Sequence, residues 1–82
     1  MERLKNISSI GAKIRLIRKA QGVSQEMLAG LAGTGQRYIS ELERGKETVR
    51  IRELLKLLDA LGAGLYVLTP EEVAEWKRSP SI

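Results

Sequence analysis

The chain has 82 residues, 43% of them apolar and 29% charged, which suits a single globular domain with a modest core. It contains no Cys and no His, so disulfides, zinc sites built on those residues and imidazole-dependent triads are excluded. The net charge of +4 is uneven: residues 1–56 hold twelve Lys/Arg against six Asp/Glu, residues 57–82 two against four, so the front of the chain is the part suited to a polyanion.

In chain order, residues 1–7 read as a lead-in without the apolar stretch of a signal peptide, and no apolar run reaches the roughly 18 residues of a membrane span, so a cytoplasmic setting is expected. Ser8 or Ser9 is expected to cap a first helix reaching about Gln21, with Ile10, Ile14 and Ile17 inward and Lys13, Arg15, Arg18 and Lys19 mostly off that face. Gly22 stops it. Ser24 caps a second helix through about Ala32, whose apolar side is read as Met27, Leu28 and Leu31 beside Ala29. Gly33-Thr34-Gly35 is a tight turn, and a third helix runs from about Gln36 to Arg44 with Ile39 and Leu42 inward.

After a connector, Lys46-Glu47-Thr48-Val49, a fourth helix is expected over Arg50 to Leu61, burying Ile51, Leu54, Leu55, Leu58 and Leu61. Leu54, Leu55, Leu57, Leu58 and Leu61 together exceed one helical face, so some are available to an interface. Leu65-Tyr66-Val67-Leu68 reads as a short strand with no second strand in the chain, and pairing with a copy of itself is the simplest way to cover it. Thr69-Pro70-Glu71-Glu72 has the parts of a helix start, good for one or two turns towards Trp76, before a frayed Ser79-Pro80-Ser81. Trp76 either packs on its own domain or anchors in a partner protein.

Two short helices joined by a glycine-containing turn of about four residues point to a helix-turn-helix. Ala29 is small where the second helix must approach the third, and Gly33 permits the turn. With Ile39 and Leu42 inward, Gln36, Arg37, Ser40 and Glu41 face out near the start of the third helix, where such a helix meets base edges in a major groove. Gln pairs with adenine and Arg with guanine, while Glu41 can accept from a cytosine amino group or orient Arg37 one turn away.

The segments Ile14-Arg15, Arg18-Lys19, Ser24-Gln25-Glu26-Met27-Leu28-Ala29, Ala32-Gly33 and Ile39-Ser40-Glu41-Leu42-Glu43-Arg44-Gly45-Lys46 resemble the Xre/Cro-type helix-turn-helix repressors over about residues 10–62. That resemblance implies an all-α, lambda-repressor-like bundle of four to five helices, with Gln25, Arg44 and Lys46 on phosphates and Thr34 of the turn grouped with them. Gly35 stands where the family usually has a hydroxyl cap, which Thr34 can supply by a one-residue shift. The stretch from Glu43 to Arg50, with Leu54 to Leu58, Leu61-Gly62 and Leu65 to Leu68, is similar to HipB-like antitoxins. It implies that Leu65, Tyr66, Val67 and Leu68 form a strand paired across a homodimer, with a HipA-like kinase toxin as partner and repression of the protein's own operon.

The expected organisation is therefore a lead-in (1–7), a helix-turn-helix domain (8–62), a dimerisation strand (63–68) and a tail (69–82). The expected function is a dimeric repressor on a palindromic operator in duplex DNA, without catalytic residues, metal or cofactor. A stand-alone or phage-type regulator without a toxin, or an interaction module that neutralises a kinase toxin, is the alternative.

Overall fold

A computed structural model of the chain describes residues 3–47 and 49–78, and in Arg78 only the backbone. The expectations for Thr48 and for Ser79-Pro80-Ser81 lie outside those residues. Five helices follow one another: α1 (Ile7–Ala20), α2 (Gln25–Ala32), α3 (Gln36–Glu43), α4 (Ile51–Ala60) and α5 (Pro70–Arg78).

Local chemistry sets most of the helix ends. The cap of α1 is Asn6 and not a serine: its Oδ1 accepts from the Ser9 amide at 2.8 Å and the Ser9 hydroxyl at 2.6 Å. The amide at the third helical position is the one a capping side chain reaches, so Asn6 starts the helix early enough to bring Ile7 against the core. Ser24 caps α2 as expected, accepting from the Met27 amide at 3.0 Å. At the other ends of α1 and α4 the chain folds back, with Val23 N–H donating to the Arg18 carbonyl and Ala63 N–H to the Leu58 carbonyl. The Gln21 side chain also donates from Nε2 to the Leu61 carbonyl at 2.7 Å, so these two ends are tied to each other.

α1 packs on α3, and α2 packs on both α3 and α4. The core is aliphatic apart from one tyrosine: Ile14, Leu28, Ala29, Tyr38, Ile39, Leu42, Leu54, Leu57, Leu58 and Leu61. The α1–α3 contact is close because Gly11 has no side chain. A Cβ there would strike the Leu42 carbonyl oxygen and lie 2.9 Å from its carbon.

Three expectations about the core are corrected. On α4, Leu54, Leu57, Leu58 and Leu61 share the inward face, whereas Ile51 and Leu55, four residues apart, share an outer one and are exposed. On α2, Leu28 and Ala29 are inward, while Met27 and Leu31 face out. Arg18, expected off the buried face of α1, is itself buried.

The expected strand is also absent: residues 63–69 form no helix or strand, and no strand occurs among the described residues. Among the described residues, no neighbouring strand is present to complete the backbone hydrogen bonds of Leu65–Leu68. α5 is longer than one or two turns. Its start is the expected capping box, with Thr69 N–H donating to Glu72 Oε1 at 3.0 Å and Glu72 N–H to Thr69 Oγ1 at 3.2 Å. No described helix is long and apolar enough to cross a membrane.

Candidate nucleic-acid interface

The corner between α2 and α3 is built by backbone geometry. Gly33 closes α2 in the left-handed region at φ 69° and ψ 35°, which a residue with a Cβ rarely adopts. Thr34 N–H then donates to the Ala29 carbonyl at 3.0 Å. Ala29 is buried where the two helices meet. Thr34 does not supply the missing cap of α3. Its hydroxyl oxygen is enclosed without a hydrogen-bond partner, so in this conformation that oxygen is out of reach of a phosphate. Gly35 occupies the cap position in ordinary extended geometry with no side-chain cap, and the first turn of α3 carries no acid. Its amides and dipole therefore leave an electropositive end facing outwards.

Tyr38, Ile39 and Leu42 bury one face of α3. Gln36 and Arg37 stand exposed at its start, the Arg37 side chain 90% so, while Ser40 and Glu41 are half-buried on the next turn. The four residues read as facing out are thus brought to one surface. Glu41 lies between two cations: Lys46 Nζ donates to its Oε2 at 3.0 Å, and Arg37 Nε lies 4.0 Å from the same oxygen. The hydrogen bond from Lys46 leads in holding the Glu41 carboxyl below its ordinary range, helped by the fields of Lys46, Arg37 and Arg44.

Gly45, at φ 82°, ends α3. Its own N–H donates to the Leu42 carbonyl and the Lys46 N–H to the Glu41 carbonyl, each at 3.0 Å. This stop turns Lys46 back over the last turn of α3 and leaves Arg44 exposed beside it.

Below the surface, Glu43 gathers three helices. Arg18 of α1 donates to it from Nε at 2.7 Å and from Nη2 at 2.9 Å, and Gln25 at the start of α2 donates to Oε1 at 3.0 Å. Arg18 Nη1 also reaches the Val23 carbonyl at 2.8 Å. Burial pushes the Glu43 carboxyl up, and the hydrogen bonds from Arg18 and Gln25 more than offset this, so it stays below its usual value. Arg18 is therefore taken from the α1 basic group and held in the interior. Gln25 is half-buried with its amide steered by Glu43.

Sequence reasoning missed Tyr38 and Arg50. The Tyr38 hydroxyl donates to the Arg50 carbonyl at 3.1 Å and accepts from the Arg50 amide at 3.3 Å. The Arg50 guanidinium lies 5.2 Å from the ring centroid. Burial pushes the Tyr38 phenol up despite the opposing effect of Arg50. A shallow cleft lined by Gly35, Arg37, Tyr38, Glu41, Val49 and Arg50 runs along this side of α3. The one signal in the sequence was an aromatic among the polar residues of the third helix.

Away from this surface, Leu65 and Leu68 are substantially exposed, and Tyr66 and Val67 are exposed by 82% and 94%. Trp76 of α5 is half-buried.

Residues 14–68 match a family model described as helix-turn-helix. A protein of Sinorhizobium fredii described as the uncharacterized HTH-type transcriptional regulator y4mF is 44% identical over 71 residues, covering 87% of this chain and 93% of that one. Among solved structures, the restriction-modification controller protein C.AhdI from Aeromonas hydrophila superposes with a TM-score of 0.66 at 38% identity, covering 71% of this chain and 88% of that one. A chain of the HipA-HipB-O2-O3 complex superposes with a TM-score of 0.78 over 85% of this chain and 99% of its own length. At 20% identity that likeness shows the fold alone.

Proposed function

The chain belongs to the helix-turn-helix family of transcriptional regulators and is not an enzyme, and from that premise we propose that it is a dimeric repressor that reads duplex DNA with α3. One observation supports the reading above others: Gln36 and Arg37 stand exposed at the open start of a helix whose opposite face is locked into the core. Gln36, Arg37, Ser40 and Glu41 meet base edges in the major groove, with Arg37 suited to guanine and Gln36 to adenine. Gln25, Arg44 and Lys46, joined by Arg50, follow the sugar–phosphate backbone.

The dimer is covered at Leu65–Leu68, whose apolar side chains and open backbone match a second copy of themselves. Two α3 helices about 34 Å apart then enter successive major grooves of a palindromic operator. A restriction-modification controller protein at 38% identity supports a regulatory role. Antitoxin activity against a HipA-like kinase is a narrower form of the same reading. It is supported by the resemblance of residues 43–68 to HipB-like proteins and tested by removing residues 69–82, which is expected to spare DNA binding and weaken any toxin complex.

The experiment is selection of duplex DNA by the purified chain, followed by fluorescence anisotropy and solution mass. Arg37→Ala is expected to lower discrimination at one position by about 1–3 kcal/mol. Arg44→Ala, at an exposed phosphate candidate, is expected to weaken all sequences alike and to flatten the salt dependence by about one unit. Val67→Asp is expected to halve the solution mass. Selection of no sequence by the wild-type chain overturns the proposal, and an unchanged mass in Val67→Asp overturns its dimer.

A further inference from the structure

We propose that Glu41 is a specificity gate: in the free protein its carboxylate holds Lys46 and draws on Arg37, so that two cations of the DNA-facing surface are withheld from duplexes that offer Glu41 no partner. The inference rests on α3 being the recognition helix.

Among the described residues facing out from α3, Glu41 is the acid, set on a surface that must approach a polyanion. A carboxylate there opposes every phosphate, and its placement needs a reason. It is also better held than an ordinary surface ion pair. The stop of α3 fixes the Lys46 backbone to the Glu41 carbonyl, and the Lys46 ammonium returns to the carboxylate of the same residue at 3.0 Å. One residue is thus clamped to another twice, by main chain and by side chain. Arg37 faces the same oxygen from 4.0 Å on the preceding turn. Exposed pairs of this kind contribute little to folding. The weight of this one therefore falls on binding.

On a non-cognate duplex, Lys46 remains neutralised by Glu41 and one phosphate contact is lost. At a site that places a cytosine amino group against Glu41, the carboxylate gains a new donor and Lys46 is released to the backbone. The same side chain thus lowers affinity for random DNA and is compensated only where a donor faces it, which is discrimination by penalising the wrong partner.

The test uses the full chain as wild type, Glu41→Gln, Lys46→Ala and the double variant, titrated with a random-sequence duplex and with the selected one between about 50 and 200 mM salt. Glu41→Gln is expected to bind random duplex about eightfold tighter near 0.1 M salt and to steepen the salt slope by about 0.9, the value of one added phosphate contact. The ratio of selected to random affinity is expected to fall. In the Lys46→Ala background most of that gain is expected to vanish. Glu41→Ala, which also lacks the charge, serves as a second variant with the same expected sign. An unchanged affinity and slope in both Glu41 variants overturns the gate, as does an equal gain with Lys46 removed, which would make the effect simple charge deletion. If the wild-type chain binds no duplex, the recognition reading itself fails. If it binds and Glu41 is inert, only the gate fails.

Discussion

Residues 3–62 and residues 63–78 solve the same physical problem differently. In the first region, the ends of α1, α2, α3 and α4 all turn back on their own carbonyls, and the apolar faces of the four helices meet in one core. In the second, Tyr66 and Val67 lie almost fully open and α5 is closed at its start by two side-chain hydrogen bonds. The first region buries what it needs within the chain, whereas the second leaves apolar surface for something else to cover. On the proposed reading, recognition and assembly would sit on separable parts of a short chain, each open to disturbance without the other.

The sharpest way to break that contrast is to add one methyl group to each region. Gly11→Ala drives a Cβ into the Leu42 carbonyl, a backbone group that cannot swing aside. We expect a loss of about 4 kcal/mol in urea unfolding, the upper end of overpacking and a large part of the stability of a domain this size. Gly64→Ala places its Cβ less close to its neighbour, 3.0 Å from the Tyr66 hydroxyl oxygen, and that ring is exposed and free to turn. The expected change there is below about 0.5 kcal/mol. Equal losses at the two sites would show that residues 63–78 are packed as tightly as the body.

A smaller effect isolates the polar centre of the body. Glu43→Gln leaves Arg18 buried without its counter-charge, and a loss of about 3 kcal/mol at pH 7 is expected. The folded Glu43 carboxyl lies below its ordinary value, so its contribution is complete above the unfolded value near about 4.3 and disappears as pH falls through the lower folded one. The gap between wild type and Glu43→Gln should therefore narrow between pH 5 and about pH 3. A gap that stays constant with pH would mean that the charge on Glu43 is not what holds α1, α2 and α3 together.

The two regions were also unequally legible in the sequence. Ser24 and Thr69 announced their helices because a capping side chain acts on an amide three residues away, a local event. Ile39 and Leu42 fixed the inner face of α3, and from them the exposure of Gln36 and Arg37 followed. Arg18 could not be separated from Lys13, Arg15 and Lys19 because its burial depends on Glu43, 25 residues further on. Leu55 and Leu57 were ambiguous because five leucines overfill one face, and the position of α2 decides between them. The Glu41–Lys46 pair was hidden for a related reason: Gly45 reverses the chain and brings back a residue that helical spacing would place elsewhere. The strand expected at Leu65–Leu68 requires a partner, and the described residues of the chain contain none.

The gentlest probe asks whether α5 unfolds with the body or apart from it. Thr69→Ala removes the hydroxyl that accepts from the Glu72 amide, and with it the orientation of the first turn, where Val73 N–H donates to the Thr69 carbonyl at 2.9 Å. If α5 is a separate unit, amide exchange at Val73 should quicken by about fivefold, the effect of losing one cap. Exchange at Leu57, fully buried in the body, should not change. The same slowing or quickening at both amides would mean that one cooperative unit runs from α1 to α5. Exposed Val67 would then belong to a rigid surface already shaped for its partner, and assembly would no longer be separable from the stability of the recognition helix.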